Sequence, residues 1–244
     1  MKIHLVMPMG GAGSRFYKNG YMQPKPLIRI NDKPFFYWST MSLMKYIDEI
    51  DVTYVVLKQH VDDFGIDDEI RRYFPEAKIK VIPNVLPGPV YTSLIGVENI
   101  SDDEPLIFND CDHMFKCSKL NEILNKGVLK EDGGILTFTS DEPQFSYVKF
   151  DKQGHIEGTI EKKVVSDSAI CGAYLFKNAK LFRNISESYT KSCPYNECYM
   201  SGLYNTMADL GLELREYKLD FHVEFGTPDE YEKAQKSLLF SEIE

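Results

Sequence analysis

Residues able to do chemistry gather early in the chain, in Gly10-Gly11-Ala12-Gly13-Ser14-Arg15, with Lys25 ten residues after Arg15 inside Pro24-Lys25-Pro26. A glycine-rich turn that follows a strand exposes backbone N–H groups, and such groups bind anions well. Each proline fixes its own φ and restricts the residue before it, so the backbone around Lys25 is stiff. A guanidinium and an ammonium held beside a row of amides suit a polyphosphate. A tight turn with a surface Arg and Lys would use the same residues. The two common phosphate loops do not apply. The dinucleotide fingerprint G-x-G-x-x-G, counted from Gly11, needs glycine where this chain has Phe16, and G-x-x-x-x-G-K-[ST] is absent. An NAD-dependent oxidoreductase is weakened accordingly.

A second group is Asp110 and Asp112 in Asn109-Asp110-Cys111-Asp112, just beyond an apolar run. If extended geometry persists there, both carboxylates point to one face, toward the crevice where open α/β sheets place ligands. One or two carboxylates plus substrate phosphates is the usual way of holding Mg²⁺. A turn in which both cap local N–H groups explains the same pair. Cys111, His113 and Cys117, and also Cys193 and Cys198, invite a zinc reading, but no C-x-x-C occurs and no common zinc spacing is met. Small apolar filling of the core is the expected role of these cysteines. The tyrosines between Tyr189 and Tyr204 suit either a pocket wall or a core-facing helix.

These groups need a scaffold, and the hydrophobic pattern supplies one. Residues 3–7, 52–57, 79–82 and 106–108 read as strands, several of them continuously apolar, as strands buried on both faces of a parallel sheet are. Between them, residues 35–46, 61–74 and 91–97 carry helical spacing. That alternation predicts an α/β layer fold with right-handed crossovers. After Gly133 the rhythm becomes strand-rich at 135–139, 147–150, 155–160 and 169–176, with Asp151-Lys152-Gln153-Gly154 as a hairpin turn. Helical patterns return at 179–188, 197–210 and 229–239. The expectation is one domain over 1–244, an α/β layer over about 1–132 with a strand-rich second half of about 133–244 packed onto it.

Composition narrows the partners. The 28 Lys+Arg and 37 Asp+Glu give a formal charge of -9, which disfavours general nucleic-acid binding. No apolar run approaches the roughly 18 residues of a membrane span, and the start of the chain is not built like a signal peptide. Five cysteines, an odd and small number, do not suit a disulfide framework, so a cytoplasmic protein without membrane partners is expected. The oligomer considered is a homodimer.

The stretch Met7-Pro8-Met9-Gly10-Gly11-Ala12-Gly13-Ser14-Arg15-Phe16, then Gln23-Pro24-Lys25-Pro26-Leu27 and Asp32-Lys33-Pro34, resembles the opening signature of the sugar-1-phosphate nucleotidyltransferases, or nucleoside-diphospho-sugar pyrophosphorylases. The likeness continues through Asp112-His113-Met114-Phe115, Glu161-Lys162, Asn196-Glu197-Cys198-Tyr199 and Glu224-Phe225-Gly226-Thr227-Pro228. Two positions depart from the family: Lys163 replaces a proline, and Glu224 replaces an aspartate. The resemblance implies a three-layer, Rossmann-like mixed sheet of the GT-A-like nucleotidyltransferase kind, with a small β-rich acceptor lobe. It also implies transfer of a nucleotidyl group from a nucleoside triphosphate to a small phosphorylated acceptor, with release of pyrophosphate and Mg²⁺ as cofactor.

The same resemblance distributes the roles. Arg15 would grip the β- and γ-phosphates, Lys25 the α-phosphate and Lys162 the acceptor phosphate. Met9, Gly10, Gly11, Ala12, Gly13, Ser14 and Asp110 would surround the nucleotide, while Asn84 and Gly88 lie where the family reads a pyrimidine, although loop chemistry also accounts for both. Glu161 and Glu197 fall on the acceptor side, and Asp112 with Glu224 would hold the metal. In length and in its D-x-D the chain is similar to small bacterial cytidylyltransferases of capsule and other surface-polysaccharide synthesis, of the phosphocholine or phosphoglutamine type. CTP is therefore placed ahead of UTP and dTTP. Two alternatives stand beside this. A GT-A glycosyltransferase also uses a D-x-D site but has no need of Gly10 to Arg15 with Lys25, and a non-catalytic regulatory relative would lose the charged residues that this chain keeps.

Overall fold

Continuously apolar runs become strands covered on both faces, and the side chains of such strands must feed two separate cores. The computed structural model describes residues 2–244. Its strands are β1 (Ile3–Met9), β2 (Arg29–Ile30), β3 (Lys33–Pro34), β4 (Ile50–Leu57), β5 (Lys78–Ile82), β6 (Leu106–Asn109) and β7 (His113–Lys116). They continue with β8 (Gly133–Thr139), β9 (Tyr147–Phe150), β10 (Ile156–Ile160), β11 (Ser168–Phe176), β12 (Leu214–Lys218) and β13 (Phe221–Glu224). The helices are α1 (Ser14–Lys18), α2 (Phe35–Met44), α3 (Lys58–Phe64), α4 (Ile66–Tyr73), α5 (Pro89–Val97), α6 (Ser118–Asn125), α7 (Ala179–Ser192), α8 (Leu203–Asp209) and α9 (Pro228–Ala234).

The main sheet runs β10-β9-β11-β6-β1-β4-β5, with β8 paired to β11 and β12 to β8. Its heart is parallel: β1 pairs with β4 and with β6, and β4 with β5, all in the same direction. The strand β11 joins antiparallel to β6, and through it the strand-rich second half continues the same sheet. Along β1, Leu5, Met7 and Met9 enter one core with Phe36 of α2 and Ile70 of α4, while Val6 enters the other with Val90 of α5 and Phe182 of α7. Period-two alternation thus makes three layers, a mixed α/β fold around a mostly parallel sheet. A third cluster lies to the side, where Phe16, Phe35, Trp38, Met114, Phe225 and Phe240 pack together. Phe16, the residue that breaks the dinucleotide fingerprint, is 1% exposed and meets Tyr21, Phe35 and Tyr231 edge-on. It anchors the short helix after the glycine loop.

Several elements differ from the sequence reading. The helix expected over 61–74 is two helices, because Gly65 takes φ 60 between α3 and α4. The helix expected over 197–210 forms only as α8. Upstream, Cys198 N donates to the Pro87 carbonyl at 3.1 Å and Val90 N donates to the Cys198 carbonyl at 3.2 Å, so that backbone is committed to the loop before α5. The helix expected over 229–239 ends at Ala234. The strands β7, β12 and β13 and the helix α6 were not expected. Among the described residues no helix is long and apolar enough to cross a membrane.

The start of α9 is a reciprocal cap: the Thr227 hydroxyl accepts from Glu230 N, and the Glu230 carboxylate accepts from Thr227 N. Thr227→Ala should cost about 1 kcal/mol of stability, the usual loss for such a cap. Denaturant unfolding measures it, and an unchanged midpoint would show that the turn after β13 is held by other contacts.

Candidate active site

From β1 the chain crosses to β4 and β5 on one side, then returns to β6 on the other side of β1. The parallel order therefore reverses between β1 and β6, and ligands of open α/β sheets bind outside the carboxyl ends of the strands at such a point. The glycine loop leaves the end of β1, and Asp110 and Asp112 leave the end of β6. A cleft of about 480 Å³ opens there, lined among others by Arg15, Asp110, Asp112, Glu161, Tyr199 and Glu224.

Three glycines let groups approach one another. Gly13 sits at φ 60, and a Cβ on it would lie 3.2 Å from Lys25 Cβ, so the loop and Lys25 are in contact. Gly172 of β11 sits at φ +96, and a Cβ there would lie 2.7 Å from Asp110 Oδ2. At Gly226 a Cβ would collide with the Asp112 carboxylate. The glycine of Glu224-Phe225-Gly226-Thr227-Pro228 is thus required by Asp112. Residues 110–112 bend rather than continue as a strand, yet both carboxylates still face the cleft. The antiparallel pair β7–β13 sets Glu224 opposite His113, and Phe225 N donates to the Asp112 carbonyl at 2.9 Å. Glu224 therefore starts beside Asp112 although they are far apart in sequence.

The charges are unbalanced. Lys25 Nζ reaches Asp112 Oδ2 at 2.8 Å. Burial works against a charged Asp112, but the Lys25 ammonium outweighs it and holds the carboxyl below the usual range. For Lys25, burial likewise opposes the charge and Asp112 prevails, so its pKa is raised. Burial first, and then the Asp112 charge, push Asp110 up. Glu230 is raised by burial and by Glu224 and Asp112. Five carboxylates (Asp110, Asp112, Glu161, Glu224 and Glu230) line the cleft with Arg15. A divalent cation fits this donor set, since hard oxygen ligands short of positive charge are what Mg²⁺ takes. Among the described residues, no three His, Cys, Asp or Glu side chains converge into a complete metal site. A cation held here would have one or two protein ligands and would need its remaining oxygens from a bound molecule.

The second half supplies the opposite wall. Glu161, just past β10, accepts from Ser146 Oγ at 2.6 Å and also from Ser201 Oγ, so its carboxylate is fixed. Lys162 follows at φ 54, exposed, with Nζ 6.0 Å from the centre of the Tyr199 ring at the cleft rim. Asn84 and Glu197 are exposed and do not line the cleft. Gly88 touches the Cys198 backbone and precedes Pro89, which does line it. Cys111 and Cys117 are buried in one core and Cys198 in the other. Burial pushes the Cys111 thiol up to about 12, in keeping with its place among the apolar side chains of that core. Sequence reasoning missed Ser146, Ser201, His222 and Glu230. Only Glu230 had a local signal, the Thr-x-x-Glu of its capping box.

A glycine loop, a paired lysine and a bank of carboxylates at the switch point of a mixed sheet define an α/β protein that takes its ligand at the carboxyl edge of the parallel strands. Residues 5–239 match the family model described as nucleotidyl transferase, and the chain belongs to that family. Among solved structures it is similar to the nucleoside-diphosphate-sugar pyrophosphorylase from Vibrio cholerae RC9, at 21% identity over 96% of this chain and 100% of that one, with a TM-score of 0.81. It is also similar to the inositol-1-phosphate CTP transferase from T. maritima (15% identity, 100% of this chain, 94% of that one, TM-score 0.74). A UDP-glucose pyrophosphorylase complexed with UDP-glucose is a third such structure (16% identity, 99% and 100% covered, TM-score 0.76). At these identities the likeness concerns the fold.

Proposed function

We propose that this protein is a cytidylyltransferase, moving CMP from CTP to a small phosphorylated acceptor with release of pyrophosphate in a Mg²⁺-dependent reaction. The observation that carries the reading is the contact of Gly13 with Lys25, whose ammonium meets Asp112 at the floor of a cleft that Arg15 also lines. One oxygen of the acceptor phosphate attacks the α-phosphorus, the bond from that phosphorus to the bridging oxygen of the β-phosphate breaks, and pyrophosphate leaves with the electron pair. A phosphomonoester with a second pKa of about 6 is mostly dianionic at neutral pH, so no general base is required. The work left to the protein is positioning and charge neutralisation.

Arg15 takes the β- and γ-phosphates and Lys25 the α-phosphate, with Met9 to Ser14 around the nucleotide and Asn84 and Gly88 on the side of the base. Asp112 and Glu224 hold the metal, which, when bound, neutralises charge on the phosphate oxygens. Asp110 supports them from the end of β6. Glu161, fixed by two serines beside Tyr199, faces the acceptor, with Glu197 further out; a carboxylate near an aromatic face favours an acceptor whose far end carries a cationic nitrogen. Phosphocholine and phosphorylated amino acids meet that description. The reaction then serves capsule or other surface-polysaccharide synthesis in the cytoplasm. Residues 1–132 act mainly on the nucleotide and 133–244 on the acceptor.

The reading is tested by pyrophosphate release from each of four nucleoside triphosphates against a panel of sugar-1-phosphates, phosphorylated amines and phosphorylated amino acids. CTP with an amine-bearing phosphate should give the highest rate; a higher rate with UTP or dTTP and a sugar-1-phosphate would replace both substrates. Lys162→Ala should raise the acceptor KM or reduce turnover while CTP affinity, measured by calorimetry, stays nearly intact. Lys163 stands next to it and substitutes in part, so the double change should lose more than the two single changes combined. A large loss of CTP binding in Lys162→Ala would put that lysine on the other substrate.

A further inference from the structure

Between α7 and α8, residues 193–198 form neither helix nor strand, and this loop brings its two ends together. Cys193 Sγ lies 3.7 Å from the carbonyl oxygen of Glu197, the residue before Cys198. The two thiols interact directly, each altering the ionisation of the other. Their surroundings differ. Cys193 is half-buried just after α7, with Sγ 3.4 Å from the Tyr189 hydroxyl. Burial works against its ionisation, but the Tyr189 hydroxyl, the Tyr195 backbone and the Cys198 thiol outweigh it and bring its pKa down. Cys198 is 6% exposed, and burial, followed by the Cys193 thiol, pushes it up to about 11. Its backbone is pinned as well, donating to the Pro87 carbonyl and accepting from Val90 N. An accessible thiol of lowered pKa beside a buried and anchored one is the arrangement of an attacking and a resolving cysteine.

We infer that Cys193 and Cys198 form a redox-modification site, which a hydroperoxide converts to a disulfide, and that the disulfide weakens binding of the phosphorylated acceptor. The second part rests on the acceptor reading given above. The Cys193 thiolate attacks one peroxide oxygen, the O–O bond breaks, and the other oxygen takes up a proton and leaves as an alcohol or water. Cys193 is then a sulfenic acid. The Cys198 sulfur attacks the Cys193 sulfur, the S–O bond breaks, and water leaves with the proton of the Cys198 thiol. Two electrons thus pass from the sulfurs to the peroxide, and a small dithiol reverses the change by exchange. A disulfide holds its sulfurs about 2 Å apart, so Cys193 must draw its loop toward the fixed Cys198. Tyr195 lies in that loop and packs edge-on against Tyr199, with ring centres 5.7 Å apart. Tyr199 lines the cleft, with Lys162 Nζ 6.0 Å from its ring centre. The acceptor wall therefore moves with the loop, whereas the glycine loop, Arg15 and Lys25 belong to other elements.

The test treats the full chain with a small excess of hydrogen peroxide, alkylates the remaining thiols after unfolding, and maps the peptides by mass. A link between Cys193 and Cys198 should appear, while Cys111, Cys117 and Cys171, all buried, should still be alkylated. In the same sample the acceptor KM should rise about tenfold, within the range that a misplaced positioning group produces, and CTP affinity by calorimetry should be unchanged. Dithiothreitol should restore the KM, which it does not do for a sulfinic acid or a methionine sulfoxide. Cys193→Ser should form no link and keep its KM through the same treatment. Both thiols left free, Cys193 oxidised beyond the sulfenic acid without a link, or a link with the acceptor KM unchanged would each overturn the inference and leave the proposed reaction standing. If the reduced wild type turned over no phosphorylated acceptor at all, the proposed reaction would fall and the acceptor effect with it, and the peptide map would still decide the disulfide.

Discussion

Lys25→Ala should lower turnover by about 10²–10³-fold, the usual effect of removing one electrostatic group aimed at charge that develops in the transition state. Lys25 is held in a 3-10 turn between Pro24 and Pro26, packed against Gly13. Its ammonium has one carboxylate within salt-bridge distance, Asp112. Burial opposes charge on both Lys25 and Asp112 and their pairing offsets it, so removing the ammonium also costs some folding energy. The thermal midpoint should therefore fall while the protein still folds, and the loss of rate per folded molecule should be far larger than the loss of stability. Near-normal pyrophosphate release from a folded Lys25→Ala protein would remove this lysine from the α-phosphate.

Asp112→Asn should be as damaging, at about 10²–10³-fold, and the loss should not be recovered by raising the cation concentration within a practical range. The amide keeps the shape of the side chain against Gly226 and removes the charge that both Lys25 and a divalent cation require. Asp110→Asn should be milder. Burial and the Asp112 charge already disfavour ionisation of Asp110, so neutralising it changes less. Equal and complete losses at both positions would show that the two carboxylates share the principal role.

Much of this architecture was legible because its central strands are apolar throughout. The strands expected at 3–7, 52–57, 79–82 and 106–108 appear with ends moved by one or two residues. Of the strands at sheet edges, β5 and β10 were legible and β12 was not, nor was the separate pair of β7 with β13. In β12 charged and apolar residues mix, and β13 makes sense only as the partner of β7, far away in sequence. The 197–210 segment has helical spacing, but its first part is claimed by hydrogen bonds to Pro87 and Val90, a tertiary demand that periodicity does not carry.

The site divides in the same way. Arg15, Lys25, Asp110, Asp112, Glu161 and Glu224 drew attention by residue type and local spacing, and the fold gathers all but Lys25 on the wall of one cleft, with Lys25 joined to it through Asp112. Asn109, His113 and His222 gave no such signal as a set: Asn109 Oδ1 meets His113 Nε2 at 2.9 Å and His113 Nδ1 meets His222 Nε2 at 3.0 Å only because β7 pairs with β13. Asn84 and Glu197 stand outside the cleft, so any contact they make with substrate comes at its margins.

The most direct measurement is ³¹P NMR of a single reaction mixture holding the protein, Mg²⁺, CTP and a phosphorylated acceptor. Two new mutually coupled diphosphate resonances should grow in step with free pyrophosphate, since the acceptor phosphorus becomes joined to the α-phosphorus of the nucleotide. Release of a nucleoside diphosphate or of orthophosphate, with the acceptor phosphorus unchanged, would contradict nucleotidyl transfer by this cleft.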